Sequence, residues 1–294
     1  MGGGGAEVVA RPLAVADAVS IAMALSRIIV GQGRAGTLVI VAAGAALALA
    51  AVPAAAYRPF DGTDAAVADL HEVEIEYQSF GWQRSGGQTA LTGPGMVFNY
   101  GFAERWEFVA QGFADIPLSS SGAAGFVDTG VFLKYVVSPG VLQGGSGVSI
   151  ATEFGPLLPQ LGQGGTGFSW AGIVSQRFDF GTAHLNVEAN LTRDQLPEAF
   201  FDVILEGPAN WKIRPVMELY YDRVFRETEA RSALLGAIWQ VRDDLSFDAA
   251  FRHAVVNGVA VAEVRVGVTF AFAAGKGEAA TPPGATFGRW DFAR

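Results

Sequence analysis

Three histidines are the side chains best suited by type to acid–base work near neutral pH, and their neighbours limit what each could do. His253 alternates with Phe247 and Phe251 and so stands on an apolar face, whereas Ser246 belongs to the opposite face. A Ser–His pair that hydrolyses lipid needs both groups on one side, and this spacing does not supply it. His184 alternates with Asn186 and Glu188, which reads as the wall of a wet interior before it reads as a catalytic set. His71 precedes the first alternating run. Cysteine is absent, so thiolate nucleophiles, disulfides and Cys-ligated metals are excluded. There is no metal-ligand spacing, phosphate loop ahead of a helix or nucleophile elbow, and Gly162-Gln163-Gly164-Gly165 has loop composition only. The expectation is a protein that is not an enzyme, with no catalytic residue, no metal and no cofactor.

What does recur is charge at two-residue spacing. One polar row is predicted to carry Glu72, Glu74, Glu76, Asp128, Lys134, Glu153, Arg177, His184, Glu188, Lys212, Arg214, Glu218, Asp248, Arg252, Glu263 and Arg265. These are the candidate lumen-lining residues. Signs are mixed with an acidic excess. Such a lumen either holds water or pairs its charges, because stranded charges in a low dielectric are very costly. The formal charge is −9 with no basic cluster, which excludes a nucleic-acid partner.

The elements that must position these residues are strands. Ala183, Leu185, Val187, Ala189 and Leu191 interleave with His184, Asn186, Glu188, Asn190 and Thr192. The same alternation marks 72–80, 127–137, 211–221 and 263–272. Weaker versions lie at 94–102, 105–115, 147–155, 168–179, 199–206, 231–241 and 245–255, about 12 strands in all. Connections alternate in predicted length, with a long one at Gly81 to Ala90 on one side and an exception at Pro139 to Gly145 on the other. Aromatics such as Trp106, Phe168, Trp170, Trp211, Tyr221 and Trp239 fall at strand ends. The fold class expected is all-β: a transmembrane antiparallel up-and-down β-barrel occupying 57–272. Alternation fits a soluble lipocalin-like or sandwich protein as well, with its faces reversed.

Ahead of the barrel, Gly36 to Val52 is uncharged, follows Arg27 and Arg34, and is followed by Pro53 and three alanines. That order predicts a signal peptide cut after Ala56, with Met23 as its start and 1–56 removed. Residues 273–294 form a Gly-, Pro- and Ala-rich tail.

Arg58-Pro59-Phe60, then Thr63-Asp64-Ala65, then the Glu72, Glu74, Glu76 alternation resembles the opening of Gram-negative outer-membrane transporters of the phenol-degradation-associated, MetA-pathway type. The last strand, closing on Phe270 and Phe272, resembles the signal read by the barrel-assembly machinery, although here Ala273 to Arg294 follow it. The resemblance implies a channel or transporter for small solutes in the cell outer membrane. Its implied partners are outer-membrane lipid, the assembly machinery and a small-molecule solute. The alternatives are a closed structural or adhesion barrel without conductance, and a lipid-modifying enzyme using His253.

Overall fold

The computed structural model describes residues 58–274. The predicted signal peptide and nearly all of the tail lie outside the described residues.

Within them, period-two alternation becomes twelve antiparallel strands: β1 (Glu72–Ser85), β2 (Gln88–Ala103), β3 (Trp106–Pro117), β4 (Gly125–Ser138), β5 (Ser149–Leu157), β6 (Gly167–Phe178), β7 (Gly181–Leu191), β8 (Pro197–Glu206), β9 (Ile213–Val224), β10 (Thr228–Arg242), β11 (Leu245–Val256) and β12 (Val259–Ala273). Each pairs with its sequence neighbours, and β1 pairs with β12 from Glu72 opposite Ala273 to Ser85 opposite Val261, which closes the barrel. Closure leaves no edge whose donors and acceptors would need water. Twelve is even, so β1 begins and β12 ends at the same rim, called here the terminal end; the other is the far end.

Exposure decides which way the apolar faces point. On β7, Leu185 and Val187 are 44% and 37% exposed while His184 and Asn186 are 3% and 0%. On β8, Phe201, Val203 and Leu205 are exposed and Asp202 is buried. Apolar side chains therefore coat the outside and polar ones line the inside, the reverse of a soluble barrel. Among the described residues no helix is long and apolar enough to cross a membrane; the strands form the apolar belt instead. Aromatics gather at the rims. Trp106 lies on Tyr135 at 4.5 Å and Phe178 stacks on Phe180 at 5.2 Å at the terminal end, with Trp211 and Trp239 exposed beside them; Phe168 and Trp170 are exposed at the far end. A closed barrel with a greasy belt and aromatic rims has the architecture of an outer-membrane protein.

One connection differs from expectation, and the expected exception is present. The long loop predicted at Gly81 to Ala90 is mostly strand, because Gly86 and Gly87 both adopt positive φ (55° and 84°) and make a two-residue hairpin whose twist suits β1 and β2. Asn257 and Gly258 do the same between β11 and β12. The connection between β4 and β5 is long at the terminal end, and contains a short 3-10 turn at Val141–Gln143 whose contacts lie inside the barrel, as described below.

If lipid covers the outer face, the cost of a charge on it depends on depth. Leu219→Arg, mid-strand on β9, should lower unfolding free energy by about 2–4 kcal/mol, and Val255→Arg, near the far rim, by about 0–1 kcal/mol. Urea titration in bilayers reads both; equal effects would remove the hydrocarbon from that face.

Candidate functional site: a lumen occupied by the N-terminal segment

The inner wall does not enclose open space alone. Residues 58–71 run into the barrel and hydrogen-bond to the inner faces of strands around the circumference. Asp69 N–H donates to Glu72 on β1 and Ala68 N–H to Glu107 on β3. Ala65 N–H donates to Ser175 Oγ on β6 at 2.9 Å and Thr63 N–H to Asn186 Oδ1 on β7 at 3.1 Å. Asp61 and Gly62 N–H both donate to Glu218 Oε1 on β9, at 2.7 and 2.9 Å. A segment that forms neither helix nor strand has thus spent its backbone donors on carboxylate, amide and hydroxyl groups of the wall, the reason it can be buried at all.

Charge pins it further. Asp61 receives Arg265 at 2.8 Å and Arg252 at 3.2 Å, and both arginines also hold Glu263. Arg265 donates besides to the Pro59 carbonyl at 3.0 Å. Burial alone would raise the Asp61 pKa, but the two guanidinium groups outweigh it and hold it at about 2. Arg58 reaches Gln78 at 2.9 Å and Asp248 at 3.4 Å. Lys134 sits 3.5 Å from Asp64 and donates to Thr63 Oγ1 at 2.9 Å. The apolar part is small. Phe60 packs on Val216 and Ile238, and Ala65 on Ala151, Ala171 and Ile173 together with Leu142. Leu142 and Gln143, whose amide donates to the Ala65 carbonyl at 2.8 Å, belong to the long β4–β5 connection, so its extra length reaches the segment from below.

Two glycines make the fit possible by lacking a side chain. A Cβ on Gly62 would lie 1.9 Å from Asp202 Oδ2, and one on Gly267 of the wall would lie 2.3 Å from Arg58 Nε. Either would push the segment and wall apart.

One further polar chain touches the segment. Ser175 Oγ lies 2.8 Å from His184 Nδ1, His184 Nε2 lies 3.3 Å from Glu206 Oε1, and Arg214 Nε lies 3.4 Å from Glu206 Oε2. Serine, histidine and carboxylate in a row are the residue types of a hydrolase relay. Here Ser175 is fully buried and takes the Ala65 N–H, so the arrangement serves as an anchor for the segment.

Among the predicted wall residues, Glu72, Glu74, Glu76, Lys134, His184, Glu218, Asp248, Glu263 and Arg265 are buried on the inward side. Glu153, Glu188, Arg214 and Arg252 are partly buried. Three depart from the pattern. Lys212 is exposed in the turn ahead of β9, which begins only at Ile213 because Trp211 N–H turns back onto the Pro208 carbonyl. Arg177 is exposed near the terminal rim, and Asp128, at positive φ near the start of β4, is exposed with its N–H on Gln160. Asn186 and Asp202 stand buried on the inward polar face, as alternation expects, and the residues missed were Ser175 and those of the segment, Arg58, Asp61 and Asp64. Their one signal in the sequence was an Asp-Gly-Thr-Asp stretch too short for a strand. Among the described residues no group of three or more histidine, aspartate or glutamate side chains could hold a metal ion. His253 is on the outer face, opposite Ala233 and Ala262.

Neither a protein-family model nor a curated protein matches this sequence. Solved structures similar to it are outer-membrane barrels. The KdgM porin is 10% identical with a TM-score of 0.46, over 68% of this chain and 98% of that one. The NanC porin is 10% identical with a TM-score of 0.47, over 67% and 98%. A loop-deletion form of OmpT, an outer membrane protein of Vibrio cholerae, is 9% identical with a TM-score of 0.39, over 69% and 100%. At this identity they describe architecture, and nothing of their cargo passes to this chain by likeness.

Glu218→Ala removes the acceptor of two backbone donors, and Arg265→Ala removes a cation from Asp61. Both should leave strand content intact and release the segment, seen as faster maleimide labelling of a cysteine placed at Ala66. For Asp61, folded pKa lies below the unfolded value of about 3.8. Its contribution is therefore present above that value and lost as pH falls through about 2. Labelling of A66C at pH 4.5, taken relative to a cysteine at the exposed Ser121 so that the lower thiolate fraction cancels, should stay slow, and a ratio already at its released value there would show that the Asp61 lock is not what holds the segment.

Proposed function

We propose that this protein is an outer-membrane channel for small solutes, with its termini toward the periplasm and its resting lumen closed by residues 58–70. The observation that carries the reading is the way the lumen is filled. A barrel of about eight strands fills its interior with its own wall side chains, and twelve strands leave more room than that. This one presents a polar wall, from Glu74 and Glu76 on β1 through Glu107, Asn186, Asp202 and Glu218 to Glu263 on β12, and occupies it with a separate stretch of chain. The stretch is held almost wholly by hydrogen bonds and ion pairs, which water replaces at low net cost once the lumen is wet. Once it moves, the predicted wall residues line the path. Their acidic excess favours cations or neutral solutes over anions.

The porin neighbours support the channel class. The finer assignment, to transporters associated with phenol degradation, rests on the opening motif and the acidic alternation of β1. Lipid around the belt, the assembly machinery during insertion and a small solute in use are the partners of this reading, and no chemistry is assigned to the wall.

The closed structural barrel is the second reading, favoured by the same segment, since a plug that never moves gives no conductance. Planar-bilayer recording separates the two. The full-length protein should show low or intermittent conductance. A variant lacking residues 58–70 should open steadily, with a reversal potential in a salt gradient on the cation-selective side. A deletion variant that migrates as a folded, heat-modifiable barrel and passes no current would end the channel reading.

A further inference from the structure

The outer face carries an unusual feature at its far rim, away from the lumen. Arg84 on β1 and His253 on β11 both stand opposite Ala262 of β12, so two outward basic side chains flank one alanine. Neighbouring strands lie about 4.8 Å apart, which sets the two Cα atoms roughly 10 Å from each other. Between them is a shallow cleft of about 340 Å³, lined beside the two basic side chains by the small residues Ala260, Ala262, Gly86 and Gly87 and by Val259 and Val261. Further along the same rim Arg231 is exposed, with its guanidinium 6.0 Å from the ring centre of Tyr221, and shares Glu229 with Arg223. Two arginines on one glutamate leave net positive charge there. No acidic residue occurs in 83–90 or 254–262, and Glu263 points inward to Arg252 and Arg265.

Below this basic row the surface turns apolar at once. Phe251 is 50% exposed beneath His253, Val266 is exposed two positions past Val264 on β12, and Trp82 lies one outward step below Arg84. Basic side chains near a rim could simply reach up to water. A cleft lined by alanine, glycine and valine between two of them gives room for something that a plain wall would not.

We propose that this rim binds one molecule of a phosphorylated, multiply acylated glycolipid of the outer leaflet, its phosphate between Arg84 and His253 and its acyl chains along Phe251, Val264 and Val266. The charge sign selects an anionic headgroup. The height selects a membrane lipid over a soluble anion, since the apolar belt begins directly underneath. The span to Arg231 favours a headgroup with two separated phosphates over a single-phosphate lipid. The inference rests on the reading that the far end faces the cell exterior.

The test uses the folded full-length protein in detergent and native mass spectrometry. It is titrated with lipid A, a diphosphorylated acylated glucosamine disaccharide, and in parallel with phosphatidylglycerol. One saturable lipid A adduct is expected, with phosphatidylglycerol held about tenfold more weakly, and Arg84→Gln with His253→Gln should cost lipid A about tenfold. Ala262→Glu, which puts an anion in the cleft lining, should do the same if the double variant folds poorly; heat-modifiable migration reports folding. Equal lipid A binding by the folded variants, or phosphatidylglycerol bound as tightly as lipid A, overturns the site. Orientation is read separately. A cysteine at Ser121, in the far-end loop of this cysteine-free chain, should react with an impermeant maleimide on intact cells. A failure there overturns the outer-leaflet assignment whatever the titration gives, whereas lost lipid A binding with correct orientation strikes the site alone.

Discussion

Charges inside a narrow barrel have to be answered within it, and here the answer comes from outside the wall. Arg252 and Arg265 face the lumen from β11 and β12 with Glu263 between them, two cations for one anion. Asp61 of the N-terminal segment supplies the missing charge to both. The exchange runs the other way further along β11, where Asp248 takes Arg58. Lys134, which stands opposite Glu107 and Glu153 of its neighbouring strands, also meets Asp64 of the segment. Each of these pairs would be a liability if either member were removed while the interior stayed dry, since a lone buried charge costs about 3–5 kcal/mol. The segment and the wall are therefore electrostatic halves of one structure, and the shape of each follows from the other. Gly62 and Gly267 are bare so that Asp202 and Arg58 can come close enough to take part.

The strands could be read from the sequence because lipid and lumen impose the simplest periodicity available. Every second residue meets hydrocarbon, so Leu185, Val187 and Leu191 had to be apolar and His184 and Asn186 were free to be polar. Boundaries within a few residues follow from that one rule; the even count came from the habit of single-chain barrels, and the outward greasy face from the aromatics at strand ends and the uneven connections. Turn chemistry was legible where it obeys a backbone preference, as at Asn257-Gly258, and was misread at Gly86-Gly87, where a polar, glycine-containing stretch continued as strand up to the hairpin.

The inserted segment was not legible, for a physical reason. Its residues obey no period because they contact at least ten different strands, mostly by pairings at long sequence distance: Asp61 with Glu218, Ala65 with Ser175, Pro59 with Arg265. The charged residues of the wall could be sorted onto one face, but the sorting could not tell a water-filled lumen from an occupied one. Lys212 and Arg177 show the remaining weakness of pattern: alternation continues past the end of a strand, and the last charged residue of a row then lies on the rim or in the turn.

Polar anchorage is what makes the occupied state compatible with a channel. Had residues 58–70 been held by leucine and phenylalanine packing, withdrawing them would expose apolar surface to water at about 25 cal/mol per Å² with nothing to offset it. As it is, the apolar part is confined to a few side chains, with Phe60 and Ala65 packed on the wall and Pro59 fully buried. The rest are hydrogen bonds worth about 0.5–1.5 kcal/mol each net of water. Against them stands the freedom recovered by each released residue, about 1–2 kcal/mol for its backbone. The dry-lumen penalty on Arg252, Arg265 and Asp248 also disappears as the segment leaves, because water enters with its departure. Polar contacts of this kind would lower the cost of a release, while the closed β1–β12 ladder, whose backbone pairing does not involve the segment, keeps the barrel standing with or without it.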